Sequence, residues 1–495
     1  MSASRLYGRV AIPVVGYGCV ALLALAVAGV FILLRDASPA WMMLVFVGIG
    51  AGAMVFWFPS TVRLLVVIFA VTLPIDISKA LVSEGGVYAP GLSLKISDLP
   101  LLALLAHWFF ERWHERDLSA LLHRHALPLS LLTWIWLGVT YSQERLAGIF
   151  IGLTYTKYFL MYAVMADIVV RHRLFRTLLT ALAAGFALQL LYVVAQVVSG
   201  SGLELQGAKA TQLGTQLVFD GGGGLHARRP SGFLHHPNVL ADYLVFLLPC
   251  CFALMLVGKR ALGGNLWLGC AAVFLSGAAL LVLTLSRGGW ISFAAAMLVV
   301  VALGHRRRLI RTSQIAAVIG IGLIGIAATA VIYPQAYLRI IESDSRSTES
   351  RLVMIDQATL IISRNPLLGV GTGGYNAAAQ QNVPESFSYV SQYFQDQIKK
   401  GVVHTWYLLV AAEHGLLGLG LFIAVIVAHL RKILPLRRWP NRSSLALGIG
   451  LAAALVGQLT FFTFDHFYGD VRIQMLWMTM ALVQALHVSA GSYVS

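Results

Sequence analysis

The sequence has little charge, few acidic residues and few cysteines. Only 12% of its 495 residues are charged and 21 are acidic, whereas 58% are hydrophobic. Ordinary globular domains have about 25% charged residues, so these shortages exclude a cytosolic multidomain enzyme and a disordered chain alike. The four cysteines lie in apolar runs, with neither zinc-ligand spacing nor a disulfide framework, and we interpret them as small core residues.

Long apolar runs dominate the chain, and its mean hydropathy is +0.78. A membrane-spanning helix needs about 20 apolar residues, so the supply is enough for about fourteen spans. We predict an all-α fold: a polytopic transmembrane helical bundle of about 12–14 spans, with a long extracytoplasmic loop that contains short helices. The predicted spans are 11–34, 40–58, 61–75, 97–110, 127–142, 147–170, 177–198, 238–257, 264–285, 289–304, 314–333, 404–429, 444–463 and 471–488.

The net charge of +15 comes from 36 basic residues. No basic block with interleaved aromatic residues lies outside the apolar runs, so nucleic acid is not an expected partner. With the N-terminus in the cytoplasm, 20 of the 36 basic residues fall in short cytoplasmic segments, as the positive-inside rule requires. Most of the positive charge is therefore expected to orient the chain in the membrane.

Two predicted extracytoplasmic loops are long, 199–237 and 334–403. Loops beyond about 12 to 15 residues are usually functional or disordered. We therefore divide the chain into N-terminal transmembrane helices (1–198), a catalytic region that includes both loops (199–488) and a short cytoplasmic tail (489–495).

The second long loop contains a predicted helix, Glu349 to Ser363, and a glycine-rich stretch. Arg351 falls on the apolar stripe of that helix, so we expect it to point into the bundle. The stretch Gly369 to Gly374 matches G-x-G-x-x-G only formally, because no strand precedes it. Two interpretations stay open: a plain glycine-rich turn, or a nest of backbone N–H groups that contacts phosphate through residues such as Gly371, Gly373 and Gly374.

His404 opens a predicted span at the membrane surface. Ala411, Gly415 and Gly418 lie on the same helical face, which would let a neighbouring helix approach closely and hold the histidine still. From the residue alone, a structural role and a catalytic role both remain open.

Four arginines lie at the predicted outer boundary, where basic residues should be scarce. Each could extend to lipid headgroups. Together they indicate an anionic ligand, and the planar guanidinium suits phosphate. Charged residues inside the spans mark either a pathway or internal ion pairs, and the sequence does not choose between these. The arginines are Arg228, Arg229, Arg287 and Arg351, and the charges within spans are Lys157, Asp167, Asp242 and Glu413.

These residues occur in an order that resembles the O-antigen ligase family, which includes Wzy-type polysaccharide polymerases. The resemblance covers about residues 225 to 480, while the first half matches only as a run of membrane helices. Thr405 departs from the family's usual Asn, Ser or Gln after the histidine. The matching pieces are Arg229-x-x-Gly232, His236-Pro237-Asn238, Ser286-Arg287-Gly288, Arg351, Asn365-Pro366-Leu367-Leu368-Gly369-Val370-Gly371, and His404-Thr405 with Gly415.

The resemblance implies a membrane glycosyltransferase that moves a glycan en bloc from undecaprenyl diphosphate to an acceptor hydroxyl. It implies His404 as the catalytic base, Arg228, Arg229, Arg287 and Arg351 as ligands of the diphosphate, and His236 and Asn238 as further loop contacts. The implied setting is the bacterial inner membrane, with the active site facing the periplasm. We expect inversion at the sugar and no cofactor; the arginines can replace a metal, and no Asp-x-Asp pair lies at an outer helix end.

The acceptor is not readable from the motifs. We favour a polymerase of an exported polysaccharide, which would work beside a flippase and a chain-length regulator; a lipid A-core ligase and a protein O-oligosaccharyltransferase share the motifs. Outside the enzyme class, the alternative is a lipid-glycan flippase or transporter, although we find none of the internal repeats common in transporters.

Overall fold

The computed structural model describes most of the chain and is mostly helical. It describes residues 60–82, 92–115, 124–199, 216–217, 228–334, 336–337, 345–389, 395, 398, 401–434, 439, 441–465 and 471–491. The helices are α1 (Ser60–Thr72), α2 (Asp98–Glu115), α3 (Ala126–Tyr141), α4 (Arg145–Arg171), α5 (Phe175–Ser199), α6 (Pro237–Met255), α7 (Lys259–Leu262), α8 (Gly264–Leu283), α9 (Arg287–Arg306), α10 (Thr312–Ile332), α11 (Ser345–Arg364), α12 (Tyr375–Gln381), α13 (Trp406–Ile433), α14 (Arg442–Phe461) and α15 (Val471–Gly491).

The predicted spans agree with these helices. The first two, 11–34 and 40–58, lie outside the described residues, and each of the others coincides with one helix. Seven of the described helices, α4, α5, α6, α8, α9, α13 and α14, are long and apolar enough to cross a membrane, and α1 and α3 are shorter apolar helices. The fold is thus an all-α polytopic membrane bundle, as predicted.

Two small antiparallel strand pairs, which the sequence did not predict, flank the helices. β1 (Ser78–Val82) pairs with β2 (Leu92–Lys95), and β3 (Gln216–Leu217) pairs with β4 (Arg228–Arg229). Just before β1, the amide of Asp76 donates to the carbonyl of Phe233, so the base of this hairpin contacts the turn that leads into α6.

The core is built where small residues let helices approach closely. A Cβ added at Gly457 of α14 would lie 2.6 Å from Val245 of α6 and 3.1 Å from Ala296 of α9, which shows how tightly these three helices pack. Cys250, Cys251 and Cys270 are buried and form no disulfide, in agreement with the prediction that they are core residues.

Two of the four charges within the spans, Lys157 and Asp167, form internal ion pairs. Lys157 Nζ lies 3.0 Å from Asp98 Oδ2. Asp167 accepts hydrogen bonds from Trp108 and Arg112, each at 2.9 Å. These two pairs join α2 to α4, and they favour the ion-pair interpretation of Lys157 and Asp167 over a transport pathway.

The ion pair beside α1 continues this network outside the helix. Asp76 Oδ1 lies 2.8 Å from Lys95 Nζ at the end of β2. Burial raises the pKa of Asp76, whereas the charge of Lys95 and its hydrogen bond lower the pKa by more. The net shift is downward, so Asp76 is ionised at neutral pH.

Candidate active site

Three of the arginines predicted to bind an anion line one pocket. The pocket has a volume of about 330 Å³ and lies between the starts of α6 and α9, the end of α14 and the first half of α11. It contains one carboxylate, that of Asp465, among its lining residues. The lining residues are Arg229, Asn238, Leu285, Ser286, Arg287, Gly288, Ile291, Arg351, Phe461, Phe464 and Asp465.

Two helix N-termini face the pocket. Ser286 caps α9, its hydroxyl accepting from the amide of Gly289 at 3.3 Å. His236 caps α6 in the same way, its Nδ1 accepting from the amide of Asn238 at 3.1 Å. Because a helix N-terminus carries a partial positive charge, the helix ends add to the field of the arginines. The local sequence therefore gives the pocket a positive field.

The turn before α9 is strained. Leu285 has φ of +49°, which is uncommon for a residue other than glycine. This turn directs the carbonyl of Thr284 toward Arg229, whose Nε donates to it at 2.5 Å. A second bond, from Arg229 Nη2 to Asn238 Oδ1 at 2.8 Å, fixes the plane of the guanidinium. Arg229 is thus buried and held in place.

Arg287 and Arg351 are less constrained than Arg229. Arg287 is the first residue of α9 and is half-buried, and no ion pair within the described part of the chain involves it. Arg351 is exposed on α11. The expectation that Arg351 points into the bundle is wrong, because the buried face of α11 is formed by neighbouring positions such as Met354 and Ala358. Its side chain lies at the pocket instead.

The side chain of Arg228 lies outside the described residues. Its backbone pairs with Leu217 in the short β3–β4 ribbon. The predicted role of Arg228 in binding the diphosphate stays a prediction.

His404 contacts Asp465, a residue that lines the pocket. Its Nδ1 is 3.3 Å from Asp465 Oδ1. The other oxygen of Asp465 accepts from Arg472 at 2.7 Å and from the side-chain amide of Asn238 at 3.2 Å. Since Asn238 also accepts from Arg229, hydrogen bonds connect the arginine pocket to the histidine.

The entry to α13 differs from the prediction in one respect. The helix begins at Trp406, so His404 precedes it and does not open it. The amide of Trp406 donates to the carbonyl of Phe462 at 2.9 Å, and the Thr405 hydroxyl donates to the carbonyl of Thr463 at 3.4 Å. These bonds hold the start of α13 against the end of α14, which places His404 next to Asp465.

We expected the face of α13 that carries Ala411, Gly415 and Gly418 to pack against a neighbouring helix. The structure differs at Gly415. At Gly415 the backbone leaves helical geometry, with φ of +66°. An added Cβ there would lie 2.0 Å from the carbonyl oxygen of Leu367, so the segment after α11 packs into the break. Gly418 does face another helix, since an added Cβ would lie 2.7 Å from Trp134 of α3.

The glycine-rich stretch fills this break, and the structure favours a packed turn over a phosphate nest. The amides of Val370 and Gly371 donate to the carbonyls of Ala412 and Glu413, each at 2.9 Å. The amide of Gly374 donates to the carbonyl of Gly371 at 3.0 Å, and Thr372 is fully buried.

The glycines of this stretch are needed for close packing. A Cβ added at Gly371 would lie 2.6 Å from the carbonyl oxygen of Gly138, and one added at Gly373 would lie 2.9 Å from the amide nitrogen of Gly148. At Gly374 it would lie 2.6 Å from the carbonyl of Val370. The pocket's lining residues do not include Gly371, Gly373 and Gly374. The structure therefore favours a packing role for these glycines over the expected contact with phosphate.

Glu413 has a structural position in the same region. Its backbone carbonyl accepts from Gly371, and its buried side chain accepts from the amide of Tyr375 at 3.3 Å. Tyr375 is the first residue of α12, so the carboxylate lies at a helix N-terminus, where negative charge is stabilised.

Asp465 and Arg472 were missed by sequence reasoning. Both follow α14, in the short connection to α15 and in the first turn of α15. A signal existed: by the predicted topology this connection lies on the same side of the membrane as His404. An acidic residue there is a partner for the histidine, but hydropathy alone does not bring the two connections together.

A bundle of membrane-spanning helices with an arginine-lined pocket at one end defines a polytopic membrane protein whose pocket carries positive charge. Residues 270–423 match the family model described as O-antigen ligase. The match includes Arg287, Arg351 and His404, and it confirms across these residues the predicted resemblance to a family of glycan transferases. No curated protein matches the chain.

Proposed function

We propose that this protein is a membrane glycosyltransferase that moves a glycan en bloc from undecaprenyl diphosphate to an acceptor hydroxyl. The observation that supports this most strongly is the convergence of Arg229, Arg287 and Arg351 on one pocket that is hydrogen-bonded through Asn238 to the Asp465 carboxylate beside His404.

The arginines suit the leaving group. When the bond between sugar C1 and the diphosphate breaks, negative charge develops on the diphosphate, and positive charge fixed beforehand stabilises it. Arg229 is held by two hydrogen bonds before any substrate arrives, while Arg287 and Arg351 retain freedom to close on phosphate oxygens. No nucleotide is required, because the glycan–diphosphate bond stores the energy of transfer.

His404 suits the acceptor. In the tautomer whose Nδ1 donates to Asp465, Nε2 carries the lone pair that takes the proton from the acceptor hydroxyl. The Asp465 carboxylate then stabilises the imidazolium that forms, and Arg472 and Asn238 hold that carboxylate in place. Attack from the side opposite the diphosphate inverts the configuration at C1.

The charge distribution supports an extracytoplasmic pocket. α9 begins at the pocket with Arg287 and ends at Arg306, in a basic cluster that continues to Arg311. α13 begins beside the pocket and ends with Arg431 and Lys432. The basic clusters thus lie at the helix ends remote from the pocket, and by the positive-inside rule those ends face the cytoplasm. In a bacterium, this distribution supports a pocket that faces the periplasm from the inner membrane.

The pocket chemistry supports a reaction without a metal. Mg²⁺ is bound by carboxylate and phosphate oxygens, but the one carboxylate among the lining residues, Asp465, already bonds Arg472 and Asn238. The arginines supply the positive charge that a metal would otherwise bring.

Transfer by purified variants in liposomes tests the proposal. The donor is the native lipid-linked glycan, extracted from cells that lack the protein, and its consumption is followed. His404→Ala and Arg287→Ala should each lower turnover about 100-fold or more. The controls are His305→Ala and Arg260→Ala, which remove the same side-chain types at exposed positions away from the pocket and should keep turnover. Near wild-type turnover in both site variants would contradict the proposal.

The acceptor is the finer part of the proposal. We favour polymerisation of an exported polysaccharide, with a flippase and a chain-length regulator as partners. The products of the same assay separate the candidates: a polymerase gives a ladder of lengths that remain lipid-linked, whereas a ligase gives a single addition to lipid A-core, and a protein O-oligosaccharyltransferase gives a glycoprotein.

A further inference from the structure

A second cluster of chemically active side chains lies between α2 and α4. His107 and Glu111 are one turn apart on α2, and His172 directly follows the last residue of α4. Glu111 Oε1 is 3.2 Å from His107 Nε2 and 3.5 Å from His172 Nε2. The imidazole ring centroids are 5.9 Å apart.

These spacings fit a metal ion. Zinc binds imidazole nitrogen and carboxylate oxygen at about 2.0 to 2.2 Å in tetrahedral geometry, which sets neighbouring ligand atoms about 3.4 Å apart. One ligand atom from each of the three residues lies within 4.8 Å of the others. A closing movement of about 1 Å therefore completes a three-ligand site.

The two imidazole ligand atoms make no contact that an ion would have to replace, apart from Glu111. Nε2 of His107 and Nε2 of His172 are buried and make no hydrogen bond among the described residues. The side chains of His107, His172 and Glu111 are 17%, 28% and 24% exposed, so an ion can reach them. Glu111 presents Oε1 to the two histidines, while Oε2 lies 3.9 Å from Arg171 Nε. Such a contact orients a carboxylate that binds metal through one oxygen.

The backbone around the cluster is held in position by its neighbours. Arg112 follows Glu111 and pairs with Asp167, one turn before Arg171 on α4. The same two helices are joined again by Lys157 and Asp98. The helices are therefore fixed relative to one another before any ion binds, which lowers the cost of ordering the site.

The cluster lies far from the pocket. α13 starts beside the pocket, and Tyr162 of α4 contacts His429 near the other end of α13. α4 continues from Tyr162 to Arg171, so His172 lies at the opposite end of the bundle from His404. An ion there takes no part in chemistry at the pocket.

We propose that His107, Glu111 and His172 form a Zn²⁺ site that joins α2 to α4, with water in the fourth position. We predicted no metal from the sequence. His107 and Glu111 share helical spacing, but His172 is distant in the chain, so the sequence does not bring the three together. The ion takes the two neutral imidazoles and the carboxylate as ligands, and it stabilises the end of the bundle remote from the pocket.

Metal analysis of the full chain tests this. The protein is purified through a tag without histidine, treated with chelator, incubated with ZnSO₄ and desalted. We expect about one zinc per chain, and at least about tenfold less in His107→Ala/His172→Ala. His305→Ala, which removes an exposed histidine outside the cluster, should keep its zinc. Equal zinc in the wild type and the double variant would overturn the site.

Two further measurements keep the test decisive if the double variant folds poorly. Co²⁺ added to the metal-free wild type should give the visible absorption bands of a low-coordinate site, and Glu111→Gln should weaken them. Zn²⁺ should also raise the unfolding temperature of the wild type, because an ion that binds only the folded state stabilises it. No cobalt bands and no thermal shift in the wild type would overturn the proposal.

Discussion

At the residue scale, the contact between His404 and Asp465 turns a histidine of uncertain role into an oriented group. From the residue alone, a structural role and a catalytic role of His404 both stay open. In the structure its Nδ1 faces a carboxylate that two other side chains hold, Arg472 and Asn238. The residue types at the site were predictable because arginine and histidine are rare at that boundary, but Asp465 required the contact between two separate connections.

Asp465→Asn separates orientation of the histidine from donor binding. Loss of the carboxylate should lower kcat by at least about tenfold, because the imidazolium formed on His404 loses its partner. Donor affinity should be equal or higher, because a negative charge is removed from a pocket that binds an anion. Turnover at several donor concentrations, together with equilibrium binding of the donor, measures both. A variant that keeps kcat but loses donor affinity would contradict this role.

At the element scale, the break in α13 shows what hydropathy can and cannot predict. The run of apolar residues located the helix to within a few residues at both ends. The break at Gly415 was not predictable, because the carbonyl that occupies it belongs to Leu367 in another segment. Tertiary hydrogen bonds from Val370 and Gly371 replace the bonds that a continuous helix would make there.

Gly415→Ala should destabilise the protein by about 2 kcal/mol or more. A positive φ is unfavourable for alanine, and its Cβ would clash with the Leu367 carbonyl. Gly420→Ala is the matched control in the same helix: no atom lies within 4 Å of an added Cβ, and alanine favours the helix by about 0.5 to 1 kcal/mol. Thermal unfolding in detergent compares the two. If both variants unfold at the wild-type temperature, the break does not depend on glycine.

At the scale of the whole molecule, the sequence predicted the membrane bundle, and the side of the membrane assigned to each connection stays a prediction. It left ion pairs as one of two interpretations of the charges within spans, without their partners. Lys157 meets Asp98, and Asp167 meets Arg112, across helices that are distant in the chain. The length and polarity of a span limit its path through the membrane, but only packing decides which charges meet. For the same reason, the cluster of His107, Glu111 and His172 was not predictable from the sequence.

The two proposed sites at opposite ends of the bundle should respond differently to chelation. Removal of divalent metal should leave glycan transfer unchanged within about twofold, because we propose that arginines supply the positive charge at the pocket. It should lower the unfolding temperature if zinc joins α2 to α4. Transfer rates and unfolding curves with and without EDTA, recorded well below the unfolding temperature for the rates, provide the comparison. Loss of transfer that Mg²⁺ restores would contradict a metal-independent reaction.

We propose that the three arginines bind the diphosphate of a lipid donor while His404 acts on the acceptor. Equilibrium binding of undecaprenyl diphosphate to the purified protein in nanodiscs separates these roles. Arg287→Ala/Arg351→Ala should weaken binding at least about tenfold, because charge-assisted contacts to phosphate are lost, whereas His404→Ala should bind like the wild type. Unchanged binding by the double arginine variant would show that the arginines do not bind the diphosphate.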